Sequence, residues 1–428
     1  MPEPLRLGVA GLGTVGAGLV ELIGRNGALI AARAGRMVAV TAVSARDRAR
    51  DRGIDLSGLA WGTPEEVAAR DDVDCLVELV GGEDGPARAA VETALRAGKP
   101  VVTANKALLA IHGQALAELA ESQGAALRYE AAVAGGIPCI KALGEGLVGN
   151  RITRVAGVMN GTCNYILTRM ETAGLPYEEV FEEARALGYL ETDPTLDVGG
   201  IDAAHKLAIL AAAAFGTSPA FADVEIEGIE RVTIEDIRRA GEMGYRIKLL
   251  GVARQTGRGL EQRMAPCLVP RHSPPGQLEG ATNMVILEGD AAGQIVLRGA
   301  GAGAGPTASA VLADVIDVAK GAVGGSVFGI PAGDLVRARA AVAAAPVPWY
   351  VRLLLSDRPG ALAKVAACFG DAGVSIDRLR QPEHEGPEAT VIVVTHRASP
   401  GDITAALDAA RASRVLAADP VALRIEEF

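Results

Sequence analysis

Residues 5–16 read LRLGVAGLGTVG. An apolar run, LRLGVA, enters three glycines spaced G-x-G-x-x-G (Gly11, Gly13 and Gly16), and the apolar segment AGLVELI follows. Strand, glycine turn, helix is the order predicted. The first glycine permits a tight turn, the second lets backbone approach a pyrophosphate, and the third lets helix and strand pack closely. The helix N-terminus then offers free N–H groups and the positive end of its dipole to the phosphates. Glycine is abundant here, with 53 residues, so the pattern gains its weight from the strand before it and the helix after it.

Working outward, further strands are predicted at 37–43 (MVAVTAV), 74–80 (DCLVELV), 99–103 (KPVVT) and 126–133, with a helix over 107–122. Strands alternating with helices predict an α/β fold, a Rossmann-type doubly wound parallel sheet over residues 1–136. From about 137 to 300 the pattern changes. Helices at 137–147, 163–172, 177–186, 201–215 and 233–240 mix with strand-like runs at 152–159, 245–254, 283–288 and 294–298, an α+β arrangement. A helix over 306–320 (PTASAVLADVIDVAK), within a 301–345 segment, is expected to return to the first domain. AAVAAAPVPW, 340–349, reads as a linker. Residues 350–428 then read strand, helix, strand, strand, helix, strand, a small and separate α+β unit.

The bulk properties narrow the function. The chain has 428 residues, nearly half of them hydrophobic, and a net charge of −10. An acidic protein of this kind is not expected to bind nucleic acid or an anionic membrane. No unbroken apolar run reaches the roughly 18 residues of a membrane span, and the N-terminus lacks the pattern of a signal peptide. The five scattered cysteines predict reduced thiols in a cytoplasmic protein.

Several motifs carry chemistry. The run after the second strand, Ser44-Ala45-Arg46-Asp47-Arg48, has no acid at its start to hold a ribose hydroxyl. Arginines there suit a 2′-phosphate, so Arg46 favours NADP over NAD, with a solvated basic loop as the plain alternative. Thr103-Ala104-Asn105-Lys106 follows the fourth strand, at the carboxyl edge where such sheets bind ligands. Asp202 and Lys206 are spaced i, i+4 on an otherwise apolar helix, IDAAHKLAILAAAAF, where a surface ion pair is the bland reading and a buried functional pair the sharper one. Glu130 to Pro138, EAAVAGGIP, reads from its spacing as a hinge.

Taken in order, GLGTVG, TANK, EAAVAGGIP, NGTCNYIL and PTASAV resemble homoserine dehydrogenases of the long bacterial form with a C-terminal ACT domain. The most specific stretch runs from Ala184 to Lys206 and follows A-x-x-x-G…D-P-x-x-D-x-x-G-x-D-x-x-x-K. The resemblance covers essentially the whole chain. It implies NAD(P)H-dependent, reversible reduction of L-aspartate 4-semialdehyde to L-homoserine, on the route to threonine, methionine and isoleucine.

It also implies roles. Lys206 is the proton donor in reduction, assisted by Lys106. Glu191 and Asp202 meet the substrate ammonium, Asp197 orders the lysine or its neighbours, and Gly188 and Thr162 lie at the substrate and cofactor pocket. The cofactor set is Gly11, Gly13, Thr14, Val15, Gly16, Arg46, Thr103, Lys106 and Gly188, with Gly301 or Gly303 from the glycine run before Pro306. A structural sodium ion is implied at Glu130 and the backbone oxygens of Val133, Gly135 and Ile137. Cys163 has no nucleophilic role, since hydride transfer needs none.

The stretch SDRPGALAKVAACFGDAGVSI resembles an ACT domain of ferredoxin-like fold. Feedback regulation is the implied role, with L-threonine the expected effector and Asp357, Gly360 and Gly373 candidate positions. A homodimer is expected through the catalytic and dimerisation domain at 137–300, with tetramers conceivable through the ACT domain. Two other readings compete: another amino-acid oxidoreductase on the same fold, and an NADP-responsive amino-acid sensor without turnover. Intact Lys106, Glu191, Asp202 and Lys206 speak against the sensor.

Overall fold

Six strands build the first sheet: β1 (Leu5–Ala10), β2 (Val38–Ser44), β3 (Ala60–Trp61), β4 (Cys75–Glu78), β5 (Val101–Thr103) and β6 (Leu127–Arg128). The computed structural model describes residues 2–190, 193–322, 324–342 and 344–428. Strand order is β3-β2-β1-β4-β5-β6, and every neighbouring pair is parallel. This is the dinucleotide-binding order, with the winding reversing between β1 and β4. Crossovers run through α1 (Thr14–Ala34), α2 (Pro64–Ala69), α3 (Pro86–Arg96) and α4 (Lys106–Ser122).

Helix α1 is long and apolar enough, by length and composition, to cross a membrane. Glu21 and Arg25 interrupt its apolar run, so its sequence does not read as a span. Here it is a core helix of the first sheet. Leu19, Ile23 and Ile30 share one buried cluster with Leu7 and Val9 of β1.

The middle of the chain holds α5 (Glu130–Ala134), α6 (Cys139–Lys141), α7 (Gly161–Ala173), α8 (Tyr177–Ala186), α9 (Pro194–Val198), α10 (Ile201–Phe215) and α11 (Ile234–Glu242). Its strands are β7 (Ile152–Val158), β8 (Glu225–Ile226), β9 (Tyr245–Thr256), β10 (Gly259–Pro270), β11 (Thr282–Gly289) and β12 (Gly293–Ala300). Helix α12 (Ala304–Ala319) then returns to the first sheet, where Val311 and Val315 join the cluster of Leu7 and Leu19. The last unit is β13 (Trp349–Ser356), α13 (Ala361–Asp371), β14 (Ile376–Arg380), β15 (Glu388–Thr395), α14 (Pro400–Ala412) and β16 (Val421–Ile425).

Three expectations change. Residues 126–133 are not one strand: β6 stops at Arg128 and Glu130–Ala134 is helical. An alanine-rich run buried on all sides has no period to separate strand from helix. Strand β10 was not expected. Its Glu261, Gln262 and Arg263 look like a loop in sequence, yet all are at most 5 % exposed. Finally, the C-terminal unit is not separate. Strand β16 pairs in parallel with β10, Cys267 opposite Arg424 and Leu268 opposite Ile425. The result is one ten-stranded sheet, β12-β11-β7-β9-β10-β16-β13-β15-β14, with β8 alongside β10.

Buried ion pairs reinforce that junction. Glu426, 1 % exposed, meets Arg154 at 3.0 Å, Arg254 at 2.5 Å and Arg263 at 2.9 Å. Arg424 meets Glu261 at 3.1 Å, and Arg352 meets the fully buried Asp236 at 2.5 Å. The supposed linker is also held, because Ala341 donates its N–H to Leu260 and Leu260 donates to Arg339.

Candidate active site

The glycine turn lies between the carboxyl ends of β1 and β4. Gly11 has φ +106°, and a Cβ there would sit 2.5 Å from the Leu79 carbonyl oxygen. A Cβ on Gly16 would sit 2.1 Å from the Gly11 carbonyl oxygen, so only glycine permits this approach. Among the described residues nothing lies within 4 Å of the corresponding point at Gly13. Helix α1 then begins at Thr14 with no acid in its first turn. Its Val15 is on the wall of a cleft of about 630 Å³ between the two sheets.

After β2, Ser44 accepts backbone N–H groups from Gly11 and Leu12. Arg46 is exposed beyond it and is not on the cleft wall. Arg48 lies over the Trp61 ring at 5.0 Å. Arg52, which sequence reasoning missed, donates through Nε to the Leu12 carbonyl at 2.8 Å and so braces the glycine turn. No spacing pattern marks it.

Across the cleft, α10 follows its cap residue Gly200 and carries Asp202 in its first turn and Lys206 one turn later. The Asp202 carboxylate is shared. One oxygen is 2.7 Å from Lys106 Nζ, and the other is 2.8 Å from Lys206 Nζ. Burial would raise the Asp202 carboxyl, but the ammonium groups of Lys206 and Lys106 override it and hold it well below the usual carboxylate range. Lys206 Nζ also donates to the Met159 carbonyl at 3.0 Å, at the end of β7. The chain thus joins residues from α4, α10 and the β7 exit at one point.

Asp197, 6 % exposed on α9, accepts from Asn160 Nδ2 at 3.1 Å. Asn160 in turn caps α7, accepting from Cys163 N at 2.8 Å. Thr162 donates to the Tyr189 carbonyl at 2.9 Å, which draws Gly188 and Tyr189 to the rim. Cys163 is buried with its Sγ on the Asp197 carbonyl, and burial pushes its thiol well up, so it is poorly suited to attack. The cleft wall therefore gathers Val15, Lys106, Val133, Gly135, Thr162, Gly188, Asp197, Asp202, Lys206 and Gly303, together with Gly301.

Others stand apart. Thr103 is fully buried and not on the wall; its hydroxyl donates to Glu78 at 2.6 Å. Glu78 also accepts from the backbone of Val80 and Gly81, so the pair braces the loops leaving β4 and β5. Glu191 lies outside the described residues. Tyr189 and Asn283 are on the wall and were missed. Asn283 had a faint signal, a lone amide in the apolar strand TNMVIL; its buried Oδ1 has no hydrogen-bond partner among the described residues.

In the Glu130–Ile137 segment, Glu130 accepts backbone N–H groups from Ile140 at 2.9 Å and Lys141 at 2.7 Å. Burial pushes its carboxyl up to about 7. Among the described residues no cluster of three or more His, Cys, Asp or Glu could hold a metal ion. The donors available here are hard oxygens, which suit sodium, and a buried carboxylate gains from a nearby cation. The fit has one tension. Val133 and Gly135 are on the main cleft, whereas Glu130 lines a second cavity of about 260 Å³ and the Ile137 carbonyl already accepts from Cys139.

A glycine turn on a doubly wound sheet, opening on a cleft with two lysines about one buried carboxylate, defines a nicotinamide-nucleotide oxidoreductase. Family models match in sequence: "Homoserine dehydrogenase, NAD binding domain" over residues 11–130, "Homoserine dehydrogenase" over 138–316 and "ACT domain" over 349–412. The homoserine dehydrogenase of Neisseria gonorrhoeae is 42% identical, covering 96% of each chain. The crystal structure of a homoserine dehydrogenase from Thiobacillus denitrificans is 41% identical, covers 99% of both chains and superposes with a TM-score of 0.94. A hyperthermophilic archaeal homoserine dehydrogenase in complex with NADPH is 26% identical, with a TM-score of 0.63 over 74% of this chain and 97% of its own. The chain belongs to the homoserine dehydrogenase family, with that family's NAD(P)-dependent activity and a regulatory ACT domain.

Proposed function

We propose that Lys206 is the acid that protonates the substrate oxygen when L-aspartate 4-semialdehyde is reduced to L-homoserine, and that Lys106 assists. The observation that carries this is the shared carboxylate of Asp202, 2.8 Å from Lys206 and 2.7 Å from Lys106. An ammonium has three N–H donors. Among the described residues, Asp202 and the Met159 carbonyl take two of those on Lys206, and the third can serve a reacting oxygen.

Bound NAD(P)H supplies a hydride to the aldehyde carbon. As the carbonyl electron pair moves onto oxygen, Lys206 transfers a proton to it and becomes a neutral amine. Lys106 keeps its charge and stabilises the developing alkoxide. In the oxidative direction, neutral Lys206 takes the hydroxyl proton. Glu191, Asp197, Asp202, Gly188 and Thr162 form the substrate cradle. Gly11, Gly13, Thr14, Val15, Gly16, Arg46, Thr103, Lys106, Gly188 and Gly303 serve the cofactor, Thr103 through its loop.

NADP is the preferred cofactor in this reading. Support comes from the lack of an acid at the end of β2, the exposed Arg46 and the archaeal relative bound to NADPH. Glu130 and the carbonyls of Val133, Gly135 and Ile137 would hold a structural sodium ion, a reading supported by the buried carboxyl of Glu130. The working division is residues 1–136 with 301–345, then 137–300, then 350–428. The protein is a cytoplasmic homodimer, and L-threonine regulates it through the ACT domain. The test is the fall of NADPH absorbance on adding L-aspartate 4-semialdehyde, repeated with NADH. Folded protein that turns over with neither cofactor would sink this reading.

A further inference from the structure

Strand β9 buries a lysine that the reaction as described does not use. Lys248 is 1 % exposed, and among the described residues it has no ion pair. Its Nζ donates to Asn164 Oδ1 at 2.9 Å and to the Leu278 carbonyl. Burying an ammonium with no carboxylate against it is costly. A methionine of similar length would fill the same core space without that cost.

The charges that bear on Lys248 are paired with one another. Arg246 of the same strand meets Glu171 of α7 at 3.1 Å and Glu279 at 3.0 Å. Opposite Lys248 on β10 stands Cys267, a neutral thiol that burial pushes up to about 11. Burial first, and Arg246 after it, lower the Lys248 ammonium to about 8, with Glu171 and Glu279 opposing.

Asn164, fully buried on α7, passes the hold on. Its Nδ2 donates to the Gly280 carbonyl at 2.7 Å and reaches the Thr282 carbonyl at 3.5 Å. An ammonium has donors and no acceptor, so Oδ1 must face Lys248 and Nδ2 must face the 280–282 backbone. A neutral amine carries a lone pair and would tolerate the reversed amide, which sets oxygen against those carbonyls.

The 280–282 backbone is pressed on the first turn of α7. A Cβ on Gly161 would lie 2.6 Å from the Ala281 carbonyl oxygen and 3.3 Å from Asn283 Oδ1. Asn160, Gly161, Thr162, Ala281 and Asn283 are all on the cleft wall, whereas Lys248 and Asn164 are not. At the same turn, the Met159 carbonyl accepts from Lys206 Nζ and Asn160 holds Asp197. A shift of α7 against the loop therefore reaches Lys206 through hydrogen bonds already in place.

We propose that Lys248, as a buried ammonium acting through Asn164, is a positioning residue for the reaction: it holds the 280–282 backbone against α7 and so fixes the Met159–Thr162 turn around Lys206. The inference rests on the reading of Lys206 as the proton donor.

The test compares Lys248→Met, Asn164→Ala and the double variant of the full-length protein. Small misplacements of reacting groups cost up to about 10²-fold in rate. Lys248→Met should lower kcat by about tenfold or more and leave NADPH affinity near the wild-type value. The double variant should lose no more than the worse single one, because both changes break one chain of contacts. The ratio of wild-type to Lys248→Met kcat should narrow as the pH rises from 7 to 9.5, since the wild type then loses the charge. Taking the ratio cancels the titration of Lys206, which both proteins share. Amide hydrogen exchange at 161–163 and 281–283 should quicken in Lys248→Met, and this readout needs no turnover, so it tests the hold even where the proton-donor reading fails. If Lys248→Met does not fold, Lys248→Gln takes its place in each comparison. Wild-type kcat in a folded Lys248 variant, additive losses in the double variant, a ratio that ignores pH or unchanged exchange at those amides would overturn the proposal.

Discussion

Asp202 and Lys206 sit one helical turn apart on α10 and are joined at 2.8 Å, while the second oxygen of Asp202 holds Lys106 at 2.7 Å. One buried carboxylate thus fixes two ammonium groups that come from different domains. Removing Lys206 as Lys206→Met should lower kcat by about 10²–10⁴-fold, the range for loss of a general acid. NADPH affinity should change little. Stopped-flow transfer rates and cofactor fluorescence titration separate the two effects; an unchanged transfer rate refutes the assignment.

Asp202→Asn should leave two lysine ammoniums facing each other without a counter-charge. The folded-state carboxyl is depressed below its unfolded value of ~3.9. Its contribution to stability is therefore present above that value and lost as the pH falls below it. Urea unfolding between pH 3 and pH 7 should show a steeper acid loss in the wild type than in Asp202→Asn. Parallel curves would contradict this.

Arg46→Glu should move the ratio of kcat/KM from NADPH toward NADH, since a carboxylate there repels a 2′-phosphate and accepts a ribose hydroxyl. A shift of about tenfold or more is expected from a charge-assisted hydrogen bond. Arg52→Ala should behave differently. Its guanidinium holds the Leu12 carbonyl, so both cofactors should weaken together. An unaltered ratio in Arg46→Glu would refute the role of Arg46 in cofactor choice.

Replacing sodium by choline in the buffer should lower the melting temperature, and Glu130→Ala should abolish that difference. A ligand at 100 times its Kd contributes about 2.7 kcal/mol, which corresponds to several degrees. Differential scanning calorimetry with elemental analysis reads both, without reference to turnover. A wild type whose melting temperature ignores sodium would refute the proposed ion site.

Glu426→Ala should destabilise the protein by about 3–5 kcal/mol, the usual cost of leaving buried charges unpaired. Burial would raise the Glu426 carboxyl, but Arg254, Arg263 and Arg154 hold it below its ordinary value. Equilibrium unfolding measures the effect. If Glu426→Ala were as stable as the wild type, the network would be a bystander.

Local features were legible in the sequence. Gly11–Gly16 predicted the turn at β1, and the i, i+4 spacing of Asp202 and Lys206 placed them on one helix face. What stayed hidden depends on partners distant in sequence. Glu261 and Arg263 look solvated until Arg424 and Glu426, both 163 positions away, are set beside them. Arg52 acts on a backbone carbonyl 40 positions earlier, which no side-chain pattern records. Tyr189 reaches the rim only because Thr162 holds its carbonyl. Lys106 was identifiable as a residue near a ligand; its sharing of Asp202 with Lys206 required the two domains to meet.

The strand junction between β10 and β16 has a consequence for how the chain can be cut. A regulatory domain strung on a loose tether can be deleted as a cassette. Here deletion before β13 would expose the Cys267–Leu268 edge and strand three arginines beside an empty seat. The severed catalytic half would carry a sticky border and would be prone to associate edge to edge. Grafting this ACT domain onto another enzyme therefore requires transplanting the receiving strand with it, and shortening the protein requires a new border.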